Sequence, residues 1–352
     1  MVHPATEVAQ LIERREVLAY EQRLARVAYA YGVDLRRSAW LAASTLGDPI
    51  MRSVDRGWNA LVADLSGSIL QDPSRGAPLP VMEELARLVR LLRAPLPTLR
   101  VLVRGIAKAS WPIVTPLGTT KGAIHWLVID AERLMALPAH ERTFLLGAAL
   151  GDLQCDHGPI VASHLMAYRN ERGLGLVRTL LKPWSKVGVF SADRAGLIAC
   201  TQLDATLAAM RAHAHDDVPW MPPRPAIALR EQALQDFDRS AVMVRVRLLM
   251  QRQPEFSLRS LRRPRNPEAE AAAEAPPGDD VDPDATERDG EGDVDAARPE
   301  VAAPDGGDPY RNEAPAAKPP TSDEDEELAR ALVGAWSLAR CDQRLTRRLG
   351  LL

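Results

Sequence analysis

Apolar positions recur at helical spacing through most of the chain. Val8, Leu11, Ile12, Leu18, Leu24, Val27, Ala28 and Tyr31 trace one face of a predicted helix, and Gly32 after them suits a C-terminal cap. A second stretch carries Trp40, Leu41 and Leu46 ahead of Pro49, and a third spans about 50–70 through Val54, Trp58, Leu61, Val62 and Leu65. Turn residues fill 72–76, and a further amphipathic helix is predicted over 82–92, with Leu85, Leu88, Val89 and Leu92 on one side. The pattern then becomes strand-like at 99–104, 111–115 and 123–129. Pro112 lacks a backbone donor, which places the middle strand at a sheet edge, and Gly118 to Gly122 reads as the turn between two antiparallel strands. Helical periods return at 140–156 (stopped by Gly158 and Pro159), 160–182, 191–215 and 226–251. Helices, a small antiparallel sheet and more helices make an α+β body.

The period fails between 264 and 320, which hold 11 prolines and one aromatic residue, Tyr310. Residues 266–327 carry 21 acidic and 4 basic side chains, so a chain of net charge −3 combines an acidic segment with a basic body. Such a segment has too little apolar surface to offset its ordering entropy and is expected to be disordered. The last thirty residues recover an apolar period at Leu328, Leu332, Trp336 and Leu345, with acidic residues early and arginines late, as suits one helix dipole. The expected organisation is an N-terminal helical segment (1–60), a main domain (61–262), an acidic Pro-rich linker (263–322) and a C-terminal amphipathic helix (323–352). Removing 266–352 should then leave a folded body. Three dispersed cysteines (Cys155, Cys200, Cys341), no apolar run of membrane length and a polar N-terminus read as a cytoplasmic protein without a membrane span.

The stretch from Leu145 to His157 (Leu-Leu-Gly-Ala-Ala-Leu-Gly-Asp-Leu-Gln-Cys-Asp-His) resembles the active-site helix of the HtpX and CAAX-prenyl-protease family of zinc metallopeptidases. Gly147, Leu150, Gly151 and the trailing His157 sit in register with that family's Leu-Gly-His-Glu-Leu-Gly-His pattern. Phe190 to Leu197 is similar to its second motif, in which a glutamate stands four residues before the position of Asp193. Ser66 to Leu70, and Gln253 to Phe256 followed by Leu258 and Arg259, are similar to segments flanking the domain. The resemblance covers roughly 60–262 and implies a mainly helical gluzincin-like fold and metalloendopeptidase activity.

The family's chemistry needs three protein ligands on zinc, a water in the fourth position and a glutamate as general base. The resemblance puts the metal ligands at Ala148, Asp152 and Val189 and the general base at Ala149. No zinc and no catalytic residue is therefore expected. A residual polar site could be built from Asp152, His157, Asp193 and Arg194, with Asp156 and Cys155 adjacent. Asp152 should be paired or protonated, and a basic or hydroxyl group of the 191–194 segment is its expected partner. Cys155 and His157 are expected to point away from Asp152, given the 100° between successive helix residues. His157 reads as a helix-end residue and Cys155 as a small buried hydrophobe. His213 and His215, alternate residues, read as a solvated helix end; His125 reads as a packed core residue, and Ser110 and Ser163 have no nucleophile context.

The leading expectation is an inactive metallopeptidase-like protein that binds a protein or peptide, with strand addition at the sheet edge as one mode. The alternatives are an active zinc-dependent endopeptidase with a divergent metal site, and a basic nucleic-acid adaptor autoinhibited by its acidic tail through contact between linker and body. The last lacks any recognition motif, so nucleic acid is the weaker partner class.

Overall fold

The computed structural model describes residues 28–43, 47–66, 70–71, 78–102, 111–119, 124–169, 175–214, 218–221, 224–252 and 323–351. The N-terminal helical period, the 72–76 turn, the acidic linker, the Gln253 to Arg259 segment, Ser110 and His215 lie outside them. The order is α1 (Gly32–Ala43), α2 (Gly47–Ser66), β1 (Leu70–Gln71), α3 (Leu79–Leu92), β2 (Thr98–Leu102), β3 (Val114–Gly118), β4 (His125–Ile129), α4 (Ala131–Ala136), α5 (Ala139–Gln154) and α6 (Gly158–Arg169). Then follow α7 (Gly175–Cys200), α8 (Leu203–Ala212), α9 (Ile227–Asp238), α10 (Ala241–Arg252), α11 (Asp323–Leu332) and α12 (Leu338–Arg348). Mainly helical with one small sheet, the fold is α+β. Among the described residues no helix is long and apolar enough to cross a membrane.

The sheet corrects the antiparallel expectation. Its order is β1-β2-β4-β3, with β2 parallel to β4 and only the outer pairs antiparallel. Consecutive strands usually pair, but here the chain passes β4's position before β3 and returns, so β4 becomes central. Its alternation serves two cores. Leu127 and Ile129 join Leu88, Leu99 and Leu150 on one face, while Trp126 and Val128 join Trp58, Leu65 and Val161 on the other. Burial on both faces explains the nearly continuous apolar run.

β3 lies at the edge, as expected, although its proline is Pro116. Asp130 N–H donates to Ile113 O and Thr119 N–H to Ile124 O, which makes the odd-numbered residues the hydrogen-bonded positions. Val114, Pro116 and Gly118 therefore face outward; Pro116 has no donor, and a Cβ on Gly158 would sit 3.0 Å from Gly118 N. This edge is obstructed by a proline without a donor and by the start of α6 against Gly118.

Helices α5 and α7 form the middle of the molecule. A Cβ on Gly147 would lie 2.4 Å from the Ala199 Cβ, and one on Gly151 2.4 Å from the Ala195 Cβ, so the two helices run antiparallel at very close range. The helix bounds differ from the periodic reading: α5 stops at Gln154 rather than Asp156, and the 160–182 period holds the end of α6 at Arg169 and the start of α7 at Gly175. α7 runs unbroken through 191–194 and ends where Thr201 takes a left-handed φ of 61°. The 226–251 period is split because Trp336 enters the break: its N–H donates to Arg239 O and its carbonyl accepts from Ala241 N–H. The C-terminal period is two helices, separated at Gly334 (φ 80°).

The last helix, α12, belongs to the body. The described residues between 28 and 252 and those from 327 to 351 form one compact unit. Cys341 and Leu345 of α12 are buried, Asp342 accepts from Gly32 N–H at 2.9 Å, and Arg344 and Arg348 bond Asp236 of α9. Of the apolar face seen in the sequence, Leu345 enters the core, while Leu328, Leu332 and Trp336 are half-buried.

Candidate functional site

The positions that the sequence resemblance assigns to the metal are readily located. Ala148 and Val189 are half-buried, Ala149 is buried, and Asp152 stands one turn beyond Ala148 on α5. Two methyl side chains and one isopropyl group offer no donor atoms, so the residues present do not fit a catalytic zinc, nor a water-activating base.

Asp152 is nonetheless the outer end of a buried network. The His157 ring lies between two carboxylates: Nδ1 is 2.8 Å from Asp152 Oδ1 and Nε2 is 3.0 Å from Asp34 Oδ1. Asp34, fully buried in the first turn of α1, uses its other oxygen to accept from the Ser191 hydroxyl at 2.5 Å. Ser191 Oγ in turn accepts the Tyr31 N–H at 3.1 Å, so the network joins the α1 segment, the end of α5 and the middle of α7. Two local features place the imidazole. Asp156 takes a left-handed φ of 58° and turns the chain back after α5, while the His157 N–H still donates to Asp152 O. Gly188 leaves the room the ring needs, since a Cβ there would meet His157 Cε1 at 2.7 Å.

The electrostatics follow from that enclosure. Burial alone would lower the His157 pKa, but Asp34 and Asp152 outweigh it and push it up to about 10, so the ring is a cation at neutral pH. Burial raises the Asp152 carboxyl, partly offset by His157. Burial, then Asp34 and Asp152, hold the Cys155 thiol well above its ordinary value, so it is protonated and a poor nucleophile. The group is a carboxylate–imidazolium–carboxylate sandwich, one cation held between two anions.

This arrangement revises several expectations. Asp152 is paired, but its partner is His157; the 191–194 segment is helix, and its hydroxyl goes to Asp34. The 100° argument failed for His157 because α5 ends at Gln154. Asp193 and Arg194 are adjacent on α7 and diverge. Asp193 forms a buried two-point pair with Arg230 (2.8 and 2.6 Å), and Arg194 donates to Tyr29 O and to Asp342 Oδ1 at 2.7 Å. Neither bonds Asp152 or His157. His213 is buried, 3.0 Å from Glu141, where a solvated helix end was expected. His125 is half-buried on β4, and buried Ser163 donates to Ile160 O.

Asp34, Ser191 and Gly188 are the residues that sequence reasoning missed as a group. An acidic residue in a first helical turn is ordinarily a dipole partner, and nothing local links Asp34 to a histidine 123 residues away. Around Trp336, the Arg239, Arg340 and Arg344 guanidinium groups stand 4.0–5.4 Å from the ring centroid. No protein-family model matches the chain, and no match to it is found among curated proteins or solved structures.

Proposed function

We propose that this chain is a non-catalytic relative of the HtpX and CAAX-prenyl-protease metallopeptidases, a gluzincin-like scaffold that binds a protein or peptide without cutting it. The observation that carries this reading is the bond between Asp152 and His157. The one polar side chain at a ligand position is committed to a buried imidazolium, and the positions around it (Ala148, Ala149, Val189) are apolar. The antiparallel approach of α5 and α7, which bear the two resembling motifs, supports the scaffold half of the proposal. Since the β3 edge is blocked, the binding surface is assigned to the half-buried strip of Ala148 and Asp152.

Two measurements test this. An unstructured protein such as casein, incubated with the full chain and added zinc, should remain intact; chelator-sensitive cleavage that disappears in Asp152→Ala would establish the peptidase instead. A photo-crosslinking residue at position 148 should form adducts with a protein partner that are absent from the same residue at exposed position 132. Equal labelling at both positions would remove the binding strip.

A further inference from the structure

We propose that Asp34, Cys155 and His157 form a binding site for one divalent transition-metal ion of the zinc class, supported by Asp152 and Ser191. None of the three donors occupies a ligand position of the metallopeptidase family, so the proposal does not rest on the reading above.

The donors come from separate places: Asp34 from the first turn of α1, Cys155 from the residue capping α5, and His157 from beyond the left-handed Asp156. All three are buried, and one ligand atom from each lies within 4.8 Å of the others. Ligands on a tetrahedral zinc are separated by about 3.3–3.8 Å, as its bond lengths of about 2.0–2.3 Å require. The 3.0 Å between His157 Nε2 and Asp34 Oδ1 has to open by only a few tenths of an ångström.

Donor chemistry selects the ion. Thiolate, imidazole and carboxylate together suit zinc or cobalt, whereas magnesium and calcium demand oxygen cages. The surroundings have the form that metal sites use. A ligating histidine normally turns its other nitrogen to a carboxylate, and His157 Nδ1 is held by Asp152 at 2.8 Å. The Asp34 oxygen not facing the ring is fixed by the Ser191 hydroxyl, itself held by Tyr31 N–H. Gly188 makes room for the ring, where any larger residue would displace it.

The exchange balances in charge. Without metal the group holds the Asp34 and Asp152 carboxylates, the imidazolium and a neutral thiol. On binding, His157 Nε2 and Cys155 Sγ each release one proton to solvent and the divalent ion takes their place. The net charge of the buried group is unchanged, so metallation adds no uncompensated charge to the core. Three protein donors leave one position of the tetrahedron, and the burial of all three makes the ion a clamp between α1 and the end of α5.

The test uses the tag-free full chain, produced with zinc or cobalt supplied during expression and then washed with chelator. About one ion per chain is expected, and the cobalt form should show thiolate-to-cobalt charge-transfer absorption. Cys155→Ser should keep its far-ultraviolet circular dichroism yet lose that absorption and about tenfold of its metal content. Cys200→Ser and Cys341→Ser, which alter the other thiols, should leave the band in place, and they keep the test informative if Cys155→Ser does not fold. A folded wild-type chain without bound metal, metal content undiminished in Cys155→Ser, or a band that follows Cys200 or Cys341 would each overturn the site.

Discussion

Asp34 and His157 meet at 3.0 Å across 123 residues of sequence, a carboxylate with no exposed surface against an imidazolium that is 4% exposed. That pair ties the first described helix to the end of α5, and Asp152 and Ser191 extend it on either side. A charge taken fully out of water is tolerated only with its partner in place, so the pair sets which substitutions the protein can bear.

Asp34→Ala removes one carboxylate from the imidazolium and leaves the Ser191 hydroxyl without its acceptor. The expected loss of unfolding free energy is about 3–5 kcal/mol, the cost of breaking a buried pair. Urea denaturation of the variant measures it, and a loss below about 1 kcal/mol would mean that the pair is relaxed by water.

Gly188→Ala separates local propensity from space. In a helix interior alanine is favoured over glycine by about 1 kcal/mol, yet the added Cβ would lie 2.7 Å from His157 Cε1. We expect a net destabilisation of about 1–3 kcal/mol and a shifted imidazole resonance in the nuclear magnetic resonance spectrum. An increase in melting temperature would show that the ring gives way freely.

In protein prepared without metal, His157 predicts how stability depends on pH. Asp34 and Asp152 face its ring, and Cys155 stands beside it as a neutral thiol. The folded state holds the proton up to about 10, against 6.5 for an unperturbed histidine, so it binds that proton more tightly than the unfolded chain. The stabilisation is therefore complete below the unfolded value and is lost as pH rises toward the folded one. Asp152 acts with the same sign at lower pH: burial raises its carboxyl too, so the stability it contributes is present below the ordinary carboxylate value and is lost as pH rises through the carboxylate range. The urea midpoint should fall between about pH 7 and 10 in the wild type and fall less in His157→Gln. Equal slopes in the two proteins would assign the pH dependence to other groups.

Removal of the C-terminal segment should unsettle the body, contrary to what its detached position in the sequence suggests. Arg194 is 2% exposed and pairs with Asp342, while Cys341 and Leu345 fill the surface of α9 and α1. Asp342→Ala alone should lower stability by about 3 kcal/mol, because it leaves the guanidinium buried without its carboxylate. A chain ending before residue 323 should lose cooperative thermal unfolding, and calorimetry that showed a wild-type transition in it would refute this role for α12.

The sequence by itself determined the helix-rich α+β character, the edge position of β3 and the lack of donor atoms at Ala148, Ala149 and Val189. Each is written in residues close together: apolar period, a proline beside the strand, side chains without a lone pair to offer. The end of α5 was not, since the period ran on to Asp156 while the helix stops at Gln154 and Gly158 and Pro159 open α6. The same local reading erred where a distant segment intervened. Trp336 splits a continuous helical period at Arg239 because its backbone completes the hydrogen bonds there, and the sheet is mixed because β3 passes to the far side of β4. Only the tertiary structure decided that His157 belongs with Asp34, that Ser191 serves Asp34, and that Asp193 and Arg194 serve Arg230 and Asp342. The reason is physical: a buried charge takes its partner from whichever chain segment folding brings within about 3 Å, and sequence separation carries no information about that distance.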